Sequence, residues 1–195
     1  MIALLVGGAA FGIVLWQVQT GGPLVVLDGL VNVVLTPLRT RLPLAAFAWL
    51  TQLGTGGAGA GVVLAASGLL WSGGRVGQVW PLWLAFVGAQ TTTWSLKFLT
   101  ARVRPPFLEG LTAASPSFPS AHATVSTVLY GFLALAIAEG MPGQARAVVF
   151  TVAGLLVGLI IFSRLFLSLH YLTDVVAGAL VGAAWLAFGW RLARP

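Results

Sequence analysis

Residues 147–163 read AVVFTVAGLLVGLIIFS, a run with no charged side chain, closed by Arg146 on one side and Arg164 on the other. A helix over this run and a few flanking residues, rising about 1.5 Å per residue, is long enough for the roughly 30 Å hydrocarbon core of a bilayer. The run is continuously apolar, so it reads as a helix; a strand of a transmembrane barrel would alternate. Five further charge-free stretches occur, at 1–27, 42–74, 76–96, 110–138 and 175–190. Together they predict helices near 2–19, 54–72, 77–97, 120–138, 147–165 and 171–190, an all-α polytopic membrane protein with six transmembrane helices. The composition agrees: 58% of the 195 residues are hydrophobic and only 7% are charged, against roughly a quarter charged in a soluble domain. So few charges cannot cover a water-facing surface.

Glycine is frequent inside the runs, as in Gly54-Thr55-Gly56-Gly57-Ala58-Gly59-Ala60-Gly61. In a bilayer such small residues let helices approach closely. The chain has no cysteine, which excludes disulfide and thiol chemistry and leaves the redox compartment unread. No Lys or Arg precedes the first apolar segment, so it lacks the charged leader of a secretory signal and is expected to be a mature helix. No linker, charge block or internal repeat divides residues 1–195, and a single domain is expected. The net charge of +6 raises nucleic acid as a partner. Several cations sit at membrane boundaries or in the motifs below, so lipid is the expected partner instead. Oligomeric state is not legible.

Two connections are long. In 20–53, Asp28, Asn32, Thr36 and Arg39 recur at helical spacing, with Leu27, Leu30, Val31, Val34 and Leu38 opposite. The pattern predicts a short helix between the first two crossings, lying in the interface or packed across the mouth of the bundle, and broken by Pro37. The connection 98–119 holds Pro105, Pro106, Pro116 and Pro119 with Gly110, which argues against helix. A loop of that length in a small protein is usually functional.

Six crossings put Arg75, Arg146, Arg191 and Arg194 on the side of both termini, and Arg39, Arg41, Lys97, Arg102, Arg104 and Arg164 on the other. With Lys97, Arg104 and Arg164 set aside as site residues, four cations face three, and the positive-inside rule favours cytoplasmic termini by a narrow margin.

The polar residues collect on that other side. Lys97 ends the third predicted helix, Arg104 follows in the Pro-rich loop, Ser120 and His122 open the fourth, Arg164 ends the fifth, and His170 and Asp174 open the sixth. Singly, each has an ordinary reading as a snorkelling cation, an N-cap or a headgroup-level histidine. Jointly, three cations repel one another unless an anion lies between them. A helix start at Ser120 adds backbone N–H groups and a positive dipole end. Arg matches phosphate oxygens with two-point geometry. His170 and Asp174, four residues apart, share a helix face, and a carboxylate on one ring nitrogen leaves the other to attack. His122 can then protonate a leaving oxygen. Two histidines and a carboxylate could instead hold a metal. The three cations would repel it, so neither metal nor other cofactor is expected.

These residues resemble a known family. Lys97-Phe98-Leu99-Thr100-Ala101-Arg102-Val103-Arg104-Pro105 is similar to the K-x6-R-P motif of the type 2 phosphatidic acid phosphatase superfamily. Pro119-Ser120-Ala121-His122 resembles its P-S-G-H motif, and Ser163-Arg164, with His170 and Asp174 following, its S-R-x5-H-x3-D motif. The motif core spans 97–174, in the family order and spacing. The resemblance implies that Lys97, Arg104 and Arg164 bind phosphate oxygens, helped by Ser120 and the N–H of Ala121. It implies His170 as nucleophile forming a phosphohistidine, Asp174 as its support, His122 as acid and then base, and no metal. Ala121 departs from the motif glycine. Its N–H remains while its methyl narrows the pocket, and tuning rather than loss of activity is expected.

The expected activity is hydrolysis of a lipid phosphate or pyrophosphate. Undecaprenyl pyrophosphate, phosphatidylglycerol phosphate, phosphatidic acid and lipid A phosphates all fit. Two alternatives stay open: a phosphotransferase using the same phosphohistidine, and a non-enzymatic anion or lipid binder. Haloperoxidase chemistry of vanadate-binding relatives is disfavoured by the membrane spans. The expected location is a bacterial inner membrane, with the site facing the periplasm or exterior and the termini cytoplasmic.

Overall fold

The computed structural model describes residues 2–106, 108 and 113–194; Glu109 and Gly110 of the long connection lie outside the described residues. Eight α-helices follow in order: α1 (Ile2–Thr20), α2 (Pro23–Arg39), α3 (Leu44–Thr51), α4 (Gly56–Ser72), α5 (Val79–Thr100), α6 (Ala121–Ala138), α7 (Gly143–Phe166) and α8 (Leu172–Ala193), with no strand among the described residues. The six expected helices are present as α1 and α4–α8. α7 runs on through Arg146 and Arg164, because a helix end need not coincide with a charge.

α6 is the axis of the bundle and packs against α8, α7, α5 and α4. Over half of its most apolar window, 56%, is buried inside the protein, against 6% for α7, so most of the α7 window is exposed or only half-buried. A water-soluble helix would bury its apolar face. The core lies between α4, α5, α6 and α8, around Val63, Leu82, Ala85, Val125, Leu129 and Phe132. The closest approach is α6 to α8: a Cβ at Gly178 would fall 2.4 Å from the Ser120 carbonyl, and one at Gly182 would fall 2.7 Å from that of Thr124. Within the glycine-rich 54–61 run, Gly54 and Gly59 do meet neighbours, whereas Gly57 and Gly61 face open space.

Length and apolarity alone account for three to five of the six expected crossings. By length and apolarity α6, α7 and α8 can each span a bilayer, and up to five spans result if α1 with α2, and α3 with α4, each count as one bent span. α5 does not qualify. Two of its polar residues bond inside the bundle: Thr93 donates to Thr124 Oγ1 (3.1 Å), and Thr92 accepts from Trp185 Nε1 (3.0 Å), while Thr91 and Ser95 are exposed.

In the connection 20–53 the expected helix is present as α2, packed on the bundle rather than lying in the interface. Pro37 does not break α2; it sits in the last turn, where the helix ends at Arg39. The polar side of α2 packs on the bundle against α7 and α8, with Asp28 only 2% exposed. Val26, Leu27, Leu30, Val33 and Val34 point outward. α3, eight uniformly apolar residues but for Thr51, has no polar-apolar periodicity and was not anticipated. A 3-10 turn at Gln52–Gly54 and a bend of 52° then lead into α4.

Candidate active site

His170 is set by the way the chain turns between α7 and α8. The Leu167 N–H reaches back to the Ser163 carbonyl (2.9 Å), Ser168 takes a left-handed conformation (φ 53°), and the N–H groups of Leu169 and His170 both donate to the Arg164 carbonyl. A non-glycine residue there is strained by about 1–2 kcal/mol, held by the surrounding structure. His170 thus lies in the turn before α8, not on the helix. It still meets Asp174, because Asp174 folds back over the helix start: its Oδ2 accepts from the Tyr171 N–H (2.9 Å) and stands 3.3 Å from His170 Nδ1.

The other ring nitrogen, Nε2, lies 3.2 Å from Arg104 Nη1. An arginine only donates, so this contact makes Nε2 the unprotonated nitrogen and leaves Nδ1–H facing Asp174. Burial pulls the His170 pKa down most strongly. Asp174 opposes that, Arg164 and Arg104 reinforce it, and the value comes to about 3. The imidazole is therefore neutral at physiological pH, with a lone pair on Nε2.

A cavity of about 430 Å³ lies beside it, lined by Lys97, Arg104, Ala121, His122, Arg164 and His170 among others. No carboxylate is among the described residues that line it. Lys97, 1% exposed in the last turn of α5, donates to the carbonyls of Pro116 and Ser117. Arg104 is spread over the Ser115 carbonyl (2.8 Å), the Ser115 hydroxyl (3.1 Å) and the Leu169 carbonyl (2.6 Å). Burial lowers the Arg104 pKa, with Asp174 opposing. Arg164 donates from Nη1 to Thr51 Oγ1 (2.9 Å), while its Nε is buried without a partner. Ala121 is the first residue of α6, where an N–H has no intrahelical acceptor.

Ser120 stands apart. It does not line the cavity; its N–H donates to the Asp174 carbonyl (2.9 Å), and its hydroxyl is buried without a partner. The tight contact with Gly178 holds it between α6 and α8. The other seven residues singled out in the sequence gather here: six line the cavity, and Asp174 stands behind His170.

Four neighbours were not singled out. Ser117 Oγ donates to Asp174 Oδ2. Arg102 Nη1 donates to Asp174 Oδ1 (2.5 Å), and its Nη2 to Asp28 Oδ2 (2.7 Å). Burial lowers the Arg102 pKa, but Asp174 and Asp28 outweigh it and the net shift is upward. Thr51 carries Arg164. Ser117, three residues before Ser120 in the Pro-rich segment, carried a weak signal; Asp28 and Thr51 carried none that pointed to this site.

Chemically, the cavity offers three cations, an unprotonated ring nitrogen and a second histidine. That set suits a tetrahedral oxyanion in reach of a nucleophile.

A family model described as the PAP2 superfamily matches residues 78–195. Phosphatidylglycerophosphatase B of Bacillus subtilis (strain 168) is 33% identical over 89 residues, 45% of this chain and 44% of that protein. The match therefore spans less than half the length of that relative. Among solved structures, the transmembrane PAP2 type phosphatidylglycerolphosphate phosphatase from Bacillus subtilis superposes with a TM-score of 0.88 at 21% identity, over 98% of this chain and 96% of that one. Aquifex aeolicus LpxE superposes with a TM-score of 0.57 at 24% identity, over 86% and 93%. At these identities the structural likenesses speak to the fold.

Proposed function

Because the chain belongs to the PAP2 superfamily, we propose that it is a membrane hydrolase that releases phosphate from a lipid through a phosphohistidine on His170. The observation that carries this reading is the cavity itself: Lys97, Arg104 and Arg164 with no described carboxylate on the wall, and the Nε2 lone pair of His170 beside them.

In the first step His170 Nε2 attacks phosphorus, the P–O bond to the lipid breaks, and the leaving oxygen takes a proton from His122. The Nδ1–H, held by Asp174, stabilises the positive charge that the ring acquires. In the second step His122 takes a proton from water, which displaces His170 and gives inorganic phosphate. Lys97, Arg104, Arg164 and the Ala121 N–H hold the equatorial oxygens throughout, with charges already in place. Arg104 leaves Nε2 for a phosphate oxygen as substrate enters.

The chain acts as one domain with six crossings, α5 among them, with Thr92 and Thr93 bonded inside the bundle. The site opens at the level of lipid headgroups, facing the periplasm or exterior of a bacterial inner membrane. Arg39 donates to the carbonyls of Phe166 and Leu165, and Arg102 is ion-paired. With both set aside, Arg41 faces Arg146, Arg191 and Arg194 (Arg75, paired with Glu139, also set aside), which supports cytoplasmic termini. The substrate class is a lipid phosphomonoester or pyrophosphate. By analogy with the named relatives, phosphatidylglycerol phosphate heads the panel to assay.

The test is phosphate release by purified protein in detergent, from phosphatidylglycerol phosphate, phosphatidic acid and undecaprenyl pyrophosphate, with and without chelator. Turnover of at least one, insensitive to chelator, is expected. Binding without turnover of any would leave an anion binder, and a phosphorylated acceptor in place of free phosphate would make it a transferase.

A further inference from the structure

α2 reaches the start of α8 through the buried side chain of Asp28. Asp28, its side chain 1% exposed, lies on the polar face of α2 and does not line the large cavity beside His170; both its oxygens are committed to the start of α8. Oδ1 accepts from the Thr173 N–H (2.9 Å), and Oδ2 from the Thr173 hydroxyl (2.7 Å) and Arg102 Nη2 (2.7 Å). The free N–H of the second residue of α8 is thereby capped from another helix, at the end where the helix dipole favours a carboxylate.

Arg102 carries the contact onward. Its Nη1 donates to Thr173 Oγ1 (2.7 Å) and to Asp174 Oδ1 (2.5 Å), and its guanidinium lies 4.4 Å from the centre of the Tyr171 ring. The planar fork is thus fixed on both arms and one face. Arg102 also stays out of the cavity lining, so its charge acts on the two carboxylates rather than on the ligand. Ala101 just before it takes a left-handed conformation (φ 47°), the strained turn that sends Arg102 back toward α8 while Arg104 faces the cavity.

Asp174 therefore has its two oxygens divided. Oδ2 serves Ser117, the Tyr171 N–H and His170 Nδ1, while Oδ1 belongs to Arg102. Arg102 determines how the carboxylate is turned, and Asp28 shares Arg102's charge. Without Asp28, the whole guanidinium charge would fall on Asp174 and draw it away from Nδ1–H. We propose that Asp28 is a positioning residue: from α2 it holds Arg102 so that Arg102 keeps Asp174 aligned on the His170 nucleophile. The inference rests on the reading of His170 as the attacking residue. The apolar face of α2 (Val26, Leu30, Val33 and Val34) is exposed, so the helix that carries this anchor faces lipid with its opposite side.

The test is single-turnover kinetics of phosphoenzyme formation in the full-length protein, where the burst amplitude counts active molecules and the rate constant reports the site. Asp28→Asn keeps the shape and removes the charge. It should lower the rate constant about ten- to hundredfold, the scale seen when an outer hydrogen-bond partner of a metal-bound histidine is lost, with amplitude and KM within about twofold. In an Arg102→Gln background the same change should move the rate constant by less than about twofold, because the relay is already cut. A wild-type rate constant in Asp28→Asn, whatever the amplitude, would overturn the proposal, as would additive losses in the double variant. If Asp28→Asn does not accumulate in the membrane, Arg102→Lys carries the test: it keeps a charge but loses the two-armed bridge, and an unchanged rate constant there overturns the proposal too. His170→Ala run alongside separates the two ideas. Retained turnover in that variant removes the nucleophile reading itself; lost turnover with a wild-type Asp28→Asn removes only the role of Asp28.

Discussion

Exchanging Asp174 for Asn tests the polarity of the site with almost no change in shape. The carboxylate accepts from four groups: the Ser117 hydroxyl, the Tyr171 N–H and His170 Nδ1 on Oδ2, and Arg102 on Oδ1. An amide has one acceptor oxygen. If its NH2 takes the Oδ1 position, it confronts Arg102 Nη1 across 2.5 Å. If it takes the Oδ2 position, it confronts three donors and pushes His170 toward the tautomer with the proton on Nε2, the nitrogen proposed to attack. Either way the developing charge on the ring loses its counter-ion. The comparable change in a serine-protease triad lowers kcat by about 10⁴, and a loss on the order of 10³–10⁴ is expected here. Arg102 would also be left with one buried partner removed, and breaking such a pair costs about 3–5 kcal/mol, so the thermal midpoint should fall as well. Lys97, Arg104 and Arg164 are untouched, so vanadate should still bind within several-fold of the wild-type affinity. The assay is phosphate release in detergent together with vanadate inhibition. Activity within tenfold of wild type would refute the link between Asp174 and the nucleophile; a parallel loss of vanadate binding would mean that Asp174 shapes the cavity rather than orienting His170.

Arg164→Ala should weaken vanadate binding about ten- to hundredfold, the scale of a charge-assisted hydrogen bond, and Thr51→Val should show a smaller loss in the same direction because Thr51 carries no charge and holds Arg164 by one hydrogen bond; equal inhibition constants would contradict this. Gly178→Ala should lower the thermal midpoint, since its Cβ would meet the Ser120 carbonyl at 2.4 Å, whereas Gly154→Ala on α7, with nothing within 4 Å, should be neutral or stabilising; the opposite order would contradict the α6–α8 packing. His170 has a pKa of about 3 when folded against roughly 6.5 when unfolded. The unfolded chain therefore binds the extra proton between those values, and stability is lost as pH falls below about 6.5, by at most about 1.4 kcal/mol per pH unit. A midpoint in detergent that falls less steeply with acid in His170→Gln is expected; identical slopes would contradict it.

Much of the bundle was legible because charges are rare and stand at the ends of apolar runs. The residues that gather at the cavity were legible for the same reason, since Lys97, His122, Arg164 and His170 stand near the ends of those runs, with Arg104 in the Pro-rich connection beside them. What could not be read was the direction in which a polar residue faces. Asp28, Asn32 and Arg39 have the spacing of a helix lying at an interface, and a helix with its polar side against protein gives the same pattern. Only packing against α7 and α8 distinguishes them. Arg102 looked like one more boundary cation beside Lys97 and Arg104; the turn at Ala101 sends it to Asp174 instead. α5 read as an ordinary span because its Gln and Thr residues carry no charge, although two of them bond inside the bundle. His170 and Asp174 were rightly paired by spacing, but through a helix cap rather than along a helix face.

The central claim is that His170 Nε2 takes the phosphoryl group. Rapid acid- or base-quench of the wild-type protein with a lipid substrate labelled in its terminal phosphate measures this directly. The account predicts an acid-labile, base-stable phosphoprotein whose label maps to His170 and disappears in His170→Ala together with phosphate release. Turnover that proceeds in His170→Ala, or label that maps to another residue, would contradict it.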